Sequence, residues 1–554
     1  MKIVSVFCWV FLLVSPALAL DREAFTFTNY KLDVRVEPEQ HRLGVRGRIT
    51  LRNDSAAPQK SMAVQVSSTL KWRSIQLDGK NLEFADHEFT SDIDHTGALS
   101  EAIVTLAREI PPKGTIDLDI GYEGVVLPDA TRFTRIGMPE DKARHIDWDE
   151  ISKAFSAVRG IGNVAWYPIA AEAASLSDAE SVPEVVGRWK TREADATMAV
   201  TFQSTSPSPV FFSGTREPAG GQSFRMDGIG LNVPTFVIAD YQKLMPKIGL
   251  SVQYLAGQQD AADDYAEVAA QLNPITPIGG GSERLDILAL PDLDAQSFVA
   301  EGMLLAPLKA PLTNAAELDM VYALARQLVV SPRWWIVEGL AHYAQAAFID
   351  GQKGRQAALD YLSAHGTALA DAEKQNSIRP SGWEDKRSMV NGPDDVYLQT
   401  KAMFVWWMLR DMLETLPTEA LTNYHPGEDK DSATMQHLIE KQTHRDLQWF
   451  FDDWVYHDRG LPDFHVESVF SRPIESGGFL VTITVENLGN AGAEVPVVLQ
   501  YDGGEIRRRM EVRAKSKASV RIETPGAAQQ VTINDGSVPE SDVTNNVYKV
   551  PVAK

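Results

Sequence analysis

Hydrophobic and polar positions alternate along the first 240 or so residues and then lengthen their period. Tyr30-Lys31-Leu32-Asp33-Val34-Arg35-Val36 repeats with period two, as does Gly47-Arg48-Ile49-Thr50-Leu51. That is the signature of strands with one buried face. Asp78-Gly79-Lys80-Asn81 and Pro111-Pro112-Lys113-Gly114 are turn signals, and Thr201-Phe202-Gln203 and Phe211-Phe212-Ser213 continue the β character. Together they predict a large antiparallel β domain over residues 20–247.

The texture then changes. Ser251-Val252-Gln253-Tyr254-Leu255 and Leu285-Asp286-Ile287-Leu288-Ala289-Leu290 read as strands, and Asp260 to Leu272 as an acidic, Ala-rich helix. Helices dominate from 314 to 456. Within Lys401–Thr415 an i, i+3, i+4 stripe runs through Met403, Trp406, Leu409, Met412 and Leu413. Trp406, Trp407 and Met408 read as core or groove lining rather than a cofactor box. These elements form a second domain over 248–462. Arg459-Gly460-Leu461-Pro462-Asp463 stops the helices. Strands follow at Phe479–Val485, Val495–Leu499, Glu511–Arg513, Ser519–Ile522 and Val531–Ile533, with a hairpin turn at Asp502-Gly503-Gly504. Residues 463–554 therefore read as a small β-sandwich. Arg507-Arg508-Arg509 reads as a solvated strand end rather than a binding patch.

The length, 554 residues, exceeds what one core sustains and fits several domains. An apolar content of 44% with 23% charged residues is that of a globular chain. Asp and Glu number 75 against 53 Lys and Arg, a net charge of −22, which disfavours nucleic acid and anionic membranes as partners. Met1-Lys2, an apolar run from Ile3 to Val14 and Pro16-Ala17-Leu18-Ala19 make a signal peptide over residues 1–19. The competing reading is an uncleaved anchor, for which the apolar run is short. Removing residues 1–19 takes away Lys2 and leaves a net charge of −23. It also takes away Cys8, the only cysteine, so the exported chain relies on core size rather than disulfides. No later segment is apolar for long enough to span a bilayer, and the expected location is periplasmic or secreted.

Candidate chemistry concentrates between residues 320 and 343. The segment reads Met320-Val321-Tyr322-Ala323-Leu324-Ala325-Arg326-Gln327-Leu328, then Arg333-Trp334-Trp335-Ile336-Val337-Glu338-Gly339-Leu340-Ala341-His342-Tyr343. With Tyr30–Val34 followed by Val36-Glu37-Pro38, Leu285 to Pro291-Asp292, and Phe450-Phe451-Asp452-Asp453-Trp454-Val455 before Gly460-Leu461-Pro462, it resembles the membrane alanyl aminopeptidase family of zinc gluzincins. The resemblance runs in order from about 28 to 466. It implies an α+β multidomain fold: an N-terminal antiparallel β domain, a thermolysin-like, mostly helical domain and a C-terminal β-sandwich.

The family's site uses H-E-x-x-H on a helix, two His at i and i+4 binding zinc and a Glu between them acting as general base. By position, the ligand places hold Tyr322 and Arg326, and the base place holds Ala323. Glu338 keeps the third-ligand place in the E-G-x-A-x-Y context. The stretch from Arg326 to Glu338 is seven residues shorter than the family pattern. The glutamate that grips a substrate's α-amine falls on Val299, with Glu301, two residues on and so on the same side of a strand, as a substitute. The transition-state tyrosine has its nearest match at Tyr397, one residue out of register and equally readable as a packing tyrosine. His342, at i+4 from Glu338, is the remaining metal-ligand candidate and reads more simply as a core or capped histidine.

Alanine cannot act as a base, and two ligands are one short of a catalytic zinc site. Arg326 is expected to pair with Glu338 where the ion would sit, since a carboxylate buried without a countercharge costs several kcal/mol. The expected function is therefore a degenerate, non-catalytic aminopeptidase relative that binds a peptide or an envelope protein without cofactor. Two alternatives remain open. One is an active metallo-aminopeptidase with a displaced zinc site using Glu301, Glu338 and His342. The other is an assembly module that docks through the sandwich.

Overall fold

A computed structural model describes residues 20–178, 181–218, 221–375, 382–392, 395–475 and 477–551. The expected signal segment and Cys8 lie outside the described residues. The chain is a mixed α+β, multi-sheet protein.

The N-terminal part is built on an eight-stranded sheet. Its order is Thr215–Arg216, Ser223–Asp227, Thr197–Ser204, Phe25–Glu37, Arg42–Asn53, Thr115–Val125, Leu70–Leu77 and Lys80–Asn81. The period-two pattern is visible in the strand Phe25–Glu37, where buried Tyr30, Leu32, Val34 and Val36 alternate with outward Lys31, Asp33 and Arg35. Asp78 and Gly79 both take positive φ, 50° and 74°, and close a two-residue hairpin between Leu77 and Lys80. The sheet departs from the expected all-antiparallel arrangement at one place. Phe25–Glu37 pairs parallel with Thr197–Ser204, from Asn29 opposite Thr197 to Val36 opposite Ser204. The two strands are separated by the rest of the β region, and so long a connection permits parallel pairing where a hairpin would not.

The strand Gln242–Lys247 pairs with Leu250–Tyr254. It edges a five-stranded sheet that continues through Leu285–Ala289 and Met303–Ala306 to the opposite edge strand Phe298–Ala300. Four long helices follow: Asn314–Leu328, Trp334–Lys353, Arg355–Gln375 and Val396–Met412. Thr313 caps the first by accepting from the Ala316 N–H at 3.2 Å, and Asp395 caps the last by accepting from Leu398 at 2.9 Å. The expected stripe on Val396–Met412 is in fact apolar and buried nearly all round, from Lys401 to Leu409 without interruption. A helix covered on every side is the hub of its layer, not an amphipathic surface helix. Lys401 is accommodated there by Asp458, whose carboxylate accepts its ammonium at 2.6 Å. The helix Trp334–Lys353 packs against both Asn314–Leu328 and this hub.

The C-terminal part has a three-stranded sheet (Phe464–Pro473, Phe479–Asn487, Lys517–Thr524) facing a four-stranded one (Gly504–Val512, Ala493–Tyr501, Ala528–Ile533, Val547–Lys549). Inward Val481, Ile483 and Val485 share a core with Val495, Val497 and Leu499, as sandwich packing requires. That core is continuous with the helical one. Of the expected arginine run, Arg507 pairs with Asp535 and Arg509 with Glu494 and Asp411. Among the described residues no helix is long and apolar enough to cross a membrane.

Beneath the N-terminal sheet lies Glu193, fully buried between the helix Ser181–Arg192 and the strand Thr197–Ser204. Its Oε1 accepts the Phe27 N–H at 3.0 Å, and its Oε2 has no hydrogen-bond partner. Burial pushes its carboxyl from the ordinary 4.5 up to about 8, with the Phe27 N–H and Arg192 pulling the other way. A carboxyl raised in the fold binds its proton more tightly there than in the unfolded chain. Its contribution to stability is therefore intact below about pH 4.5 and is lost as pH rises toward 8. Glu193→Gln should match the wild type in thermal unfolding at pH 5. It should be the more stable protein above pH 8, by on the order of a few kcal/mol. Parallel pH–stability curves for the two proteins would refute this account of Glu193.

Candidate functional site

The two helices Asn314–Leu328 and Trp334–Lys353 bring the expected residues together. Tyr322 and Arg326, four apart, lie on one face of the first helix. Both reach Glu338, in the second turn of the next helix. The Tyr322 hydroxyl donates to Glu338 Oε2 at 2.5 Å, and Arg326 Nε donates to Glu338 Oε1 at 2.7 Å. Glu338 is only 3% exposed. Arg326 also reaches across to the N-terminal region. Its Nη1 donates to Asn232 Oδ1 at 3.1 Å and its Nη2 to the Leu231 carbonyl at 2.9 Å.

Two glycines let these backbones approach. At Gly339 a Cβ would lie 2.7 Å from the Trp406 ring and 3.0 Å from the Ala402 Cβ, so only glycine lets this helix sit on the hub with Glu338 aimed away from it. At Gly230 a Cβ would meet the Lys190 carbonyl at 2.0 Å. The chain there lies directly on the end of the helix Ser181–Arg192, which presents Leu231 and Asn232 to Arg326.

The other expected residues are distributed differently. Ala323 is fully buried in the helical core and offers no polar atom. His342 lies tilted by 36° against the Tyr322 ring with centroids 4.7 Å apart, and its Nδ1 meets Gln345 Oε1 at 3.0 Å. Gln345 in turn donates to the Leu318 carbonyl and accepts from Tyr361. Tyr397 does not line the cleft; its hydroxyl bonds Glu373 on the helix Arg355–Gln375, and its ring lies near Arg387 and Lys401. Val299 packs against the main core and also lies off the cleft. Glu301 does line it, though not from the same face of a strand: the strand ends at Ala300, and Glu301-Gly302 is the turn to Met303. Burial raises the Glu301 carboxyl, Arg326 lowers it, and its Oε2 is buried without a hydrogen-bond partner.

Glu301, Arg326 and Glu338 border a cavity of about 510 Å³ between the N-terminal β region and the helices. Lys190, Asp227 and Asn232 come from the first side, and Arg326, Arg333, Trp334, Val337 and Glu338 from the second. Arg333 is held by Asp429. Sequence reasoning missed Leu231, Asn232 and Lys190. No spacing linked them to residue 326, although Gly228 and Gly230 mark a tight turn beside them.

The donor set does not fit a zinc ion of the gluzincin kind. Glu338, the one residue kept from the expected ligands, has both oxygens engaged, one of them by a permanent cation at 2.7 Å. A divalent ion there would face a guanidinium across a shared carboxylate. His342 directs Nδ1 to Gln345, and no general base stands at 323. Among the described residues, no group of three or more His, Cys, Asp or Glu is gathered to hold a metal.

No protein-family profile matches this chain, and no curated protein matches it. A solved structure that does match is titled as the crystal structure of an M1 zinc metallopeptidase from Deinococcus radiodurans. The identity is 14%, over 76% of this chain and 92% of that one, with a TM-score of 0.45. Likeness at this level says nothing about the site.

The clasp at Glu338 should behave as a coupled unit. Arg326→Met alone strands a buried carboxylate and should cost about 3–5 kcal/mol in urea unfolding. Adding Glu338→Gln should recover part of that, giving a coupling energy of about 1–3 kcal/mol. Strict additivity would mean that the pair contributes nothing jointly.

Proposed function

We propose that this protein is an exported, non-catalytic relative of the alanyl aminopeptidase-type zinc peptidases, and that its cleft binds peptide segments of the envelope compartment. The observation that carries this reading is the closed hydrogen-bond set around Glu338. Arg326 and Tyr322 occupy the carboxylate that the resemblance would give to zinc, and Ala323 supplies no base. Hydrolysis by the family route then has neither activated water nor a proton acceptor.

Binding needs neither. The cleft keeps an apolar flank in Trp334 and Val337, and Glu301 lines it with one carboxylate oxygen buried and unpartnered. Beside Glu301 the strand Phe298–Ala300 is the edge of the five-stranded sheet, and an edge offers main-chain groups to an added strand. In this reading Glu301, from the turn, takes the charge-recognition role, and Val299 takes none. The thermolysin-like assignment of the helical part and the periplasmic or secreted location belong to the same proposal, as does the absence of a working zinc.

Two measurements test it. The purified protein should carry substoichiometric zinc after dialysis against zinc-containing buffer. It should also show no chelator-sensitive hydrolysis of alanyl arylamides. In parallel, a synthetic nonapeptide library should be retained by the immobilised protein and lost on Ser282→Trp, an exposed position on the cleft wall. Stoichiometric zinc with chelator-sensitive turnover would return the protein to the enzymes.

A further inference from the structure

Glu301 stands at a junction rather than at the end of a groove. A second cavity, of about 620 Å³, lies on its other side, and Ser282, Glu301 and Gln327 line both. The first cavity continues toward Trp334 and Val337, the second toward Phe212 and Tyr241. Each falls in the size range of ligand pockets. A carboxylate that recognises a chain terminus closes its groove, because no ligand lies beyond the amine. Here there is room on both sides.

The charge at the junction is unmet. Glu301 Oε2 is buried without a hydrogen-bond partner. Of the two cations whose fields reach it, Arg326 directs Nε, Nη1 and Nη2 to Glu338, Asn232 and Leu231, and Arg284 is an exposed residue on the wall of the second cavity. Asp227 adds negative potential on the first side. A buried acceptor with no donor is costly until a donor arrives, and a cation meets it best.

We infer that the cleft takes the interior of an extended peptide, reading a lysine or arginine side chain at Glu301, rather than a free N-terminus. The inference rests on the peptide-binding reading above and narrows it to a ligand class. An aliphatic stem fits the mixed walls, and the ammonium or guanidinium ends on the carboxylate. The main chain leaves on either side into the two cavities.

Fluorescence polarisation with three synthetic nonapeptides decides the matter. The first is N-acetylated and C-amidated with one central lysine, the second is the same with norleucine, and the third is the norleucine peptide with a free N-terminus. The lysine peptide should bind at least tenfold tighter than its norleucine twin, and freeing the amine should change affinity less than twofold. Glu301→Gln should erase the lysine advantage, with circular dichroism reporting its fold. Ser282→Trp, at an exposed position, should block binding independently. Photo-crosslinkers at the two peptide ends should label residues of different cavities. Binding of the free-amine peptide alone would overturn interior recognition and leave the peptide-binding cleft standing. No binding by any of the three would overturn both, and an undiminished lysine advantage in Glu301→Gln would remove Glu301 from the ligand's path.

Discussion

One guanidinium organises this molecule's centre. Arg326 satisfies Glu338, a carboxylate too deeply buried to stand alone, and its other nitrogens fasten the chain at Leu231 and Asn232. An ammonium would not serve. The geometry needs three donors fixed in a plane and pointing to separate acceptors, which only arginine provides. Tyr322 completes the set by donating to the remaining carboxylate oxygen. The two helices and the β region therefore meet around a polar cluster whose members are hydrogen-bonded, which is the condition for tolerating it inside a fold.

Much of this was legible in the sequence, and the part that was not has identifiable causes. Period-two alternation marked Tyr30–Val36 and Phe479–Val485 correctly, because each has one covered face. Helical spacing put Tyr322 and Arg326 on one face, and the family resemblance implied that Glu338 stands opposite them. What escaped was long-range. Nothing in a one-dimensional pattern ties Asn232 to Arg326, or brings Thr197–Ser204 parallel to Phe25–Glu37. The stripe on the hub helix is buried as expected, but from Met403 to Leu409 so are the residues between its members. Lys401 is in fact buried on Asp458. Glu301 was counted onto a strand, but the strand ends one residue earlier.

The cleft combines two kinds of electrostatics. At Glu338 the charges are closed on one another and fixed by short bonds. At Glu301, across the same cavity, a carboxylate oxygen is buried and left open. Glu193 Oε2 is unmet in the same way inside the β region, so it is the place of Glu301 on a cavity wall that sets it apart. The contrast separates a carboxylate closed on its partners from one with an unpartnered oxygen within one cleft.

The reach of Arg326 also bears on how the chain acquires its native state. Glu338 is twelve residues away in sequence, and Asn232 is ninety-four. The pairing with Glu338 is available as soon as two neighbouring helices dock. The contact with Asn232 must wait for the β region to close on them, and contacts of such separation form late. Half of the clasp thus belongs to the helical unit's own assembly and half to the final closure. The wall of the cleft is finished only when the last large pieces of the chain have come together.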